Sequence, residues 1–309
     1  MEQLLTALRG AGEATRLRII ALLSKGELTV GELVQILQQS QPRVSRHLKL
    51  MGESGLLDRI QEGTQVFYRL ADDGPSGRLN STIVDLLDDN DTAFSADIDQ
   101  LEAIRLERAG RAQAYFDANA QDWDTLRSLH VSEGQVEAAL LEQQGGSRVG
   151  SLLDVGTGTG RMLQLFAPLA DQALGVDVSR AMLAIARSQL DGDTLSHCQV
   201  RLGDMYDLTV PDASQDLILF HQVLHFAEEP AKALGEAARA LAVGGTMLIA
   251  DFAPHSQEFL RDQHAHRRLG FSEEEVGGWG AAVGLSLNAV THLDGGELRV
   301  TIWNFGKRV

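Results

Sequence analysis

With one cysteine in 309 residues, aromatics at 5% and no apolar run near 18 residues, the chain excludes several classes at once. Cys198 alone cannot form an intrachain disulfide, so the fold is not stapled as small secreted domains are; in a segment read as a strand it is expected to be a small buried hydrophobe. Lacking a long apolar run and a charged-then-apolar start, the chain is expected neither to span a membrane nor to be secreted, which makes the cytoplasm its expected location. Positive charge is also short: 27 Lys and Arg face 43 Asp and Glu, a net charge of −16. That balance argues against broad electrostatic binding of nucleic acid, but it is uneven. Residues 1–70 hold nine basic and seven acidic residues, residues 71–130 five and thirteen, and the remainder 13 and 23. The length exceeds one typical domain and can bury two cores.

What is present is clearest at residues 152–160, LLDVGTGTG, an apolar run entering Asp154-x-Gly156-x-Gly158-x-Gly160. Glycines there let the backbone turn tightly and approach a ligand where a side chain would block it, with Asp154 at the strand's end. The dinucleotide fingerprint Gly-x-Gly-x-x-Gly would instead need glycine where Arg161 stands. Three more apolar runs follow. ALGVDVSRAML (173–183) reaches Asp177 about 20 residues past the first glycine, where an acid can hold both ribose hydroxyls. VRLGDMYDL (200–208) carries Asp204 and Met205, and DLILFHQVLHF (216–226) ends at His221, Gln222 and His225. Singly, Asp177 reads equally as a helix cap, Met205 as core and His221 as a polar group beside the core. In this order, at strand ends separated by helical segments, they point to a ligand at the carboxyl ends of a parallel sheet.

The tail continues the pattern. Residues 231–252 read as helix, Gly-Gly turn and fifth strand. Ser272 with Glu275 forms a capping box opening a helix near 273–283. Residues 286–292 and 297–305 pair as a hairpin across Asp294, Gly295 and Gly296.

The compressed glycine spacing and the three segments after it resemble the class I S-adenosylmethionine (SAM)-dependent methyltransferases. The resemblance implies an α/β Rossmann-like domain, a mostly parallel sheet closed by an antiparallel edge hairpin. It implies a site for SAM or S-adenosylhomocysteine (SAH) formed by Asp154, Gly156, Thr157, Gly158, Gly160, Asp177, Val178, Met182, Gly203, Asp204, Met205 and His221, with Asp204 on the adenine amino group and Met205 on its ring. His221 and His225 become candidate catalytic residues that take a proton from a methyl acceptor, although transfer from a sulfonium needs mainly in-line positioning. His255, His264 and His266 crowd the same region, but neither cysteines nor a His-Glu-x-x-His helix accompanies them, so no metal is expected. The group resembled includes ubiquinone/menaquinone and arsenite methyltransferases; arsenite chemistry relies on several cysteines and is disfavoured here.

Residues 1–70 read differently: two or three short amphipathic helices, a helix beginning at Ser40-Gln-Pro, and a hairpin turning at Glu62-Gly63. Ser40 is expected to cap that helix and Pro42 to fit its first turn. Val44, Leu48 and Met51 recur at helical spacing and face the core, leaving Gln41, Arg43, Ser45, Arg46 and Lys49 outward for groove edges and phosphates, with Arg59 and Gln65 near the wing tip. A solvated surface is the plainer reading of such a face taken alone. EATRLRIIALL, ELTVGELVQIL, SQPRVSRHLKLMGESGLL and VFYRL together resemble the ArsR/SmtB winged-helix repressors over residues 1–90. That resemblance implies double-stranded DNA as partner and a homodimer formed through the first and last helices. Such repressors often sense metals through Cys-x-Cys or last-helix His and acidic ligands. Here Thr29 and Gly31 hold the cysteine positions, and the last helix, about 76–87, has no histidine, while Asp85, Asp88 and Asp89 read as a solvated face, so sensing at those sites is not expected.

The expected organisation is a winged helix over 1–90, linker and lid helices over 91–130 with the linker near 88–97, and the methyltransferase domain over 131–309. Tyr115, Phe116 and Trp123 are candidates for shaping the pocket, with ordinary helix packing as the alternative. Functionally, ArsR-methyltransferase fusions include SAH-responsive repressors of methionine-cycle genes, so the resemblance implies a regulator whose ligand occupancy is coupled to operator binding. The alternative is an active small-molecule methyltransferase whose DNA-binding domain regulates its own pathway.

Overall fold

The structure, a computed structural model, describes residues 2–62, 64–71, 74–87, 91–120, 132–190, 195–295 and 298–308. The chain divides into two compact units, residues 1–110 and 111–309.

The first unit contains α1 (Glu2–Ala11), α2 (Ala14–Leu23), β1 (Leu28–Thr29), α3 (Val30–Leu37), α4 (Gln41–Glu53), β2 (Leu57–Glu62), β3 (Gln65–Leu70) and α5 (Gly74–Leu86). The three strands form one antiparallel sheet in the order β1-β3-β2, with Glu62 opposite Gln65 at the hairpin's end; Gly63 lies outside the described residues. Ile19, Ile20, Leu33, Val44, Leu48 and Met51 form the core, each at 2% exposure or less. Thr29 and Glu32 make a complete capping box that starts α3. Ser40 does sit at the N-cap of α4, but its hydroxyl makes no capping bond. The reason is local: Pro42 has no N–H to offer, and the Arg43 N–H donates to the Ser40 carbonyl at 3.0 Å.

Where a linker is expected at 88–97, a helix α6 (Thr92–Asn119) begins instead; residues 88–90, with Asp88 and Asp89, lie outside the described residues. Asp97 is 3% exposed, and its two oxygens accept from Arg18 Nε and Nη2 at 2.6 and 2.5 Å. Arg108 Nη1 meets Glu32 Oε1 at 2.7 Å. Asp97, in the stretch expected to be a linker, thus supplies the partner of Arg18 on α2, and the division between the units falls after Gly110.

In the second unit seven strands are ordered β6-β5-β4-β7-β8-β10-β9: β4 (Val149–Val155), β5 (Ala170–Asp177), β6 (Cys198–Leu202), β7 (Gln215–His221), β8 (Leu241–Phe252), β9 (Leu285–Gly295) and β10 (Leu298–Lys307). The first five are parallel, and β10 runs antiparallel between β8 and β9. Both faces are covered, which is why these strands read as unbroken apolar runs. Leu152, Leu217 and Leu248 pack into one apolar layer, while Leu153, Ile218 and Met247 pack into the other. The helices are α7 (Glu133–Gln144), α8 (Arg161–Phe166), α9 (Arg180–Gln189), α10 (Pro230–Ala240), α11 (Phe259–His264) and α12 (Glu273–Ala282). The Ser272/Glu275 capping box on α12 is formed in both directions. Gly244 and Gly245 do not turn the chain between helix and strand. β8 follows α10 directly and the glycines form a bulge within it, the register jumping from Gln215↔Leu241 to Leu217↔Thr246. A Cβ on Gly245 would lie 2.9 Å from the Ala242 carbonyl and 3.1 Å from that of Asp216 on the neighbouring strand, so the close approach favours glycine. Among the described residues no helix is long and apolar enough to cross a membrane.

Asp97→Ala leaves Arg18 without its bidentate partner and is expected to lower the stability of the first unit by about 1–3 kcal/mol. Denaturant unfolding of the full chain, followed with probes in each unit, checks this; an unchanged midpoint would assign the pair no structural role.

Candidate functional site

Two separate surfaces are built. On α4, Val44, Leu48 and Met51 are buried at 0–1%, and Gln41, Arg43, Ser45, Arg46 and Lys49 are all exposed. The face is therefore a helix stripe with its apolar residues turned in and its hydrogen-bonding and basic residues turned out, the form that reads major-groove edges. Lys49 lies 3.8 Å from Glu53 one turn on. His47 Nδ1 lies 3.7 Å from Glu13 Oε2, and burial, helped by Arg16, Arg43 and Arg46, pushes the imidazole below its ordinary range despite that carboxylate. On the wing, Gln65 is exposed at the tip; Arg59 is exposed three rungs back, opposite Tyr68, and donates to Gln61 Oε1 at 2.9 Å. Thr29, at one of the positions where related repressors place cysteines, is occupied in capping α3.

The second surface lies at the carboxyl ends of β4, β5 and β7. Strand order reverses at β4, which pairs with β5 on one side and β7 on the other, so a crevice opens where their ends diverge. Gly156, Gly158 and Gly160 all have positive φ, at 74°, 54° and 85°. The loop is fixed from β5: the Val176 carbonyl accepts from Gly156 N at 2.8 Å and Thr157 N at 3.0 Å. Asp177 Oδ2 accepts from Gly158 N at 2.9 Å and Oδ1 from Ser179 N at 2.8 Å. Asp177 therefore serves both as a link across the loop and as a strand-end acid. Burial raises its carboxyl above the usual range, opposed by the amides of Ser179, Gly158 and Val178. A carboxylate offers about four acceptor positions, so beyond these amides it keeps capacity for a ribose hydroxyl. Beside it Val178 is 49% exposed, an apolar side chain at the rim. Gly203 N donates to the Asp177 carbonyl at 3.0 Å, which brings the Asp204–Met205 segment to the same rim. Asp204 is exposed and Met205 is partly buried against the core. Asp154 and Thr157 are buried beneath the loop, and Met182 packs in the core at 2%. The donor set fits a ribose and a flat apolar ring.

His221 closes β7 with Nε2 3.6 Å from Glu133 Oε1 of α7. His225 follows one turn later, 2% exposed, with Nδ1 2.7 Å from Asp251 Oδ1 at the end of β8. Around it stand His266 at 4.0 Å between ring centroids, Phe226 at 4.1 Å and Phe252 at 5.3 Å. Phe116 meets Phe226 edge-on at 4.8 Å, and the Tyr115 hydroxyl bonds His264 Nδ1 at 2.7 Å. Burial lowers the His264 imidazole and raises the Tyr115 hydroxyl from their ordinary ranges. Two of the three aromatics expected to shape the pocket thus pack beside these histidines; Trp123 lies outside the described residues. Among the described residues no group of three or more His, Cys, Asp or Glu is arranged to hold a metal ion. Cys198 is buried, with its thiol pushed up by desolvation. Sequence reading did not single out Asp251 or Glu133, although an aspartate ending the apolar run MLIADF was a visible signal.

Comparison with known proteins finds a relative for each unit. Residues 13–59 match the arsR family of bacterial regulatory proteins and residues 153–249 a methyltransferase domain. The chain is 36% identical over 97 residues to the arsenic resistance transcriptional regulator ArsR1 of Pseudomonas putida, covering 31% of this chain and 71% of that protein. It is 31% identical over 132 residues to an uncharacterized methyltransferase of Bacillus subtilis, covering 40% and 52%. A SAM-dependent methyltransferase structure from Aquifex aeolicus superposes with a TM-score of 0.50 at 22% identity, covering 61% of this chain and 97% of that one. The chain spans about half or less of the length of the first curated relatives it matches.

Asp177→Ala removes both the loop link and the diol acceptors and is expected to weaken SAM binding by about tenfold or more. Calorimetry together with circular dichroism tests it; unchanged affinity in a folded variant would remove Asp177 from the site.

Proposed function

Because the chain belongs to the ArsR family of bacterial regulators and carries a methyltransferase domain on the same polypeptide, we propose that it is a DNA-binding regulator whose methyltransferase domain binds SAM or SAH and couples that occupancy to operator affinity. The observation that supports this reading is that one chain carries both an outward polar and basic α4 and a glycine loop tied to Asp177. SAM, when bound, supplies an electrophilic methyl group. Gly156, Gly158 and Gly160 would give it backbone access, Asp177 would take the ribose hydroxyls, and Val178, Asp204 and Met205 would meet the adenine. Gly203 would hold that last segment in place, Asp154, Thr157 and Met182 would support the loop from below, and His221 would border the reacting end. Coupling demands that the ligand bind the DNA-competent and incompetent states with different affinity, since equal affinity shifts nothing.

Gln41, Arg43, Ser45, Arg46, Lys49, Arg59 and Gln65 would contact DNA. With a local charge of only +2 over residues 1–70, two such faces acting together are needed for useful affinity. Leu4, Leu5 and Leu8 on α1 are 42–46% exposed, an apolar row that supports a homodimer through this helix. Exchanging all three for serine is expected to shift sedimentation from dimer to monomer and to weaken operator binding; a wild-type monomer would remove this interface.

One observation favours catalysis as well as sensing. A sensor needs only the cofactor cradle, yet His225 and Asp251 form a buried pair beyond it. An active methyltransferase acting on a small molecule, its DNA-binding domain governing the same pathway, accounts for that pair.

Operator binding is tested by titrating fragments upstream of the protein's own gene and of methionine-cycle genes with SAM and, separately, SAH. One of the two ligands is expected to change affinity by about fivefold or more, and the other less. DNA binding indifferent to both would end the sensor reading and leave the enzyme reading standing.

A further inference from the structure

His225 is held more completely than packing requires. Its Nδ1 faces Asp251 Oδ1 at 2.7 Å, and Asp251, 0% exposed, also accepts from the His225 amide at 3.3 Å and the Phe252 amide at 2.8 Å. A carboxylate in that position accepts only, so Nδ1 is the donor of this bond, and in the neutral ring the lone pair falls on Nε2. Among the described residues nothing hydrogen-bonds Nε2. The His225 carbonyl is fixed too, accepting from Arg267 N at 2.9 Å and Arg268 N at 3.0 Å. The ring lies nearly parallel to His266, 25° between planes.

The backbone is strained at both ends of this arrangement. Gln222, just after β7, has φ 52°, and Ala265, between His264 and His266, has φ 56°. Left-handed conformations of non-glycine residues cost roughly 1 kcal/mol or more and persist where the surroundings over-determine them. Here they send His264 to Tyr115 and bring His266 onto His225.

We propose that His225 is the catalytic base for a neutral hydroxyl acceptor, an alcohol or a phenol, and that Asp251 is its positioning residue; this rests on the reading of the second unit as a methyltransferase. The hydroxyl oxygen bonds to the methyl carbon as the carbon–sulfur bond breaks, and sulfur keeps that bond's electron pair. The hydroxyl proton passes to Nε2, forming an imidazolium beside the Asp251 carboxylate, and water then takes it. A carboxylate acceptor is already ionised and needs no base; it calls for an uncompensated cation. The guanidinium groups of this region are compensated by acids: Arg267 meets Glu228 at 3.0 Å, Arg268 meets Glu275 at 2.9 Å and Arg261 meets Glu258 at 3.5 Å. Among the described residues, a base whose neighbouring guanidinium groups are each matched by an acid favours a neutral protic acceptor.

The test uses the full chain with nitrogen-15 histidine and 4-nitrophenol as the acceptor probe. At alkaline pH, long-range proton–nitrogen spectra are expected to show His225, assigned by its loss in His225→Gln, as the Nδ1–H tautomer, and that preference to vanish in Asp251→Asn. With SAH present, 4-nitrophenol is expected to become about tenfold more ionised than in buffer at the same pH, read at the phenolate absorbance, and not in His225→Gln. SAH affinity should persist in both variants. An Nε2–H tautomer overturns the base, and probe ionisation that is absent, or survives His225→Gln, overturns the hydroxyl class. If wild-type protein fails to bind SAH, the methyltransferase reading itself falls, while the tautomer spectrum still decides the His225–Asp251 pair.

Discussion

The second unit depends on one carbonyl and one carboxylate at the end of β5. Val176 O takes the amides of Gly156 and Thr157, and Asp177 takes those of Gly158 and Ser179, so four N–H groups from the loop after β4 and the turn before α9 converge on two adjacent residues. Each bond is worth about 1 kcal/mol net, but leaving such donors buried and unmet would cost more. Positive φ at the three glycines is the geometric condition for this convergence. The candidate cofactor cradle is therefore not an addition to the sheet; the same contacts that close β4 onto β5 create it.

This is why the site was so legible in sequence. Glycine spacing, a strand-end acid and their separation are fixed by backbone geometry, and backbone geometry is what local sequence encodes best. The order of apolar runs gave the parallel strands because a sheet covered on both faces needs unbroken hydrophobicity. The winged helix was readable for a similar reason: Val44, Leu48 and Met51 define the inward stripe, and the outward stripe is what remains.

What sequence hid was tertiary pairing of charge. Asp97 looks like one acid among many in a stretch poor in apolar residues, and its role comes from Arg18, 79 positions earlier. Asp251 is likewise meaningful only through His225, 26 positions away. The unused hydroxyl of Ser40 and the Gly244–Gly245 bulge were misread because each depends on a competing partner: the missing N–H of Pro42 in one case, the neighbouring strand at Asp216 in the other. Local rules identified the right residues and assigned them the wrong neighbours.

The charge distribution bears on how such a chain would discriminate among DNA sites. All of the net negative charge lies outside residues 1–70, and at physiological salt its influence decays over a Debye length of about 8 Å. Loose encounters, in which acidic surface faces phosphate, gain little. In the proposed binding mode, only a pose that brings Arg43, Arg46 and Lys49 within contact distance would gain their full attraction, and Gln41 and Ser45, exposed on the same helix, would then face the base edges. An acidic protein with a small basic reading face thus keeps nonspecific affinity low. Against so weak a background, the proposed coupling, about 1–3 kcal/mol in typical cases, would be large enough to move operator occupancy.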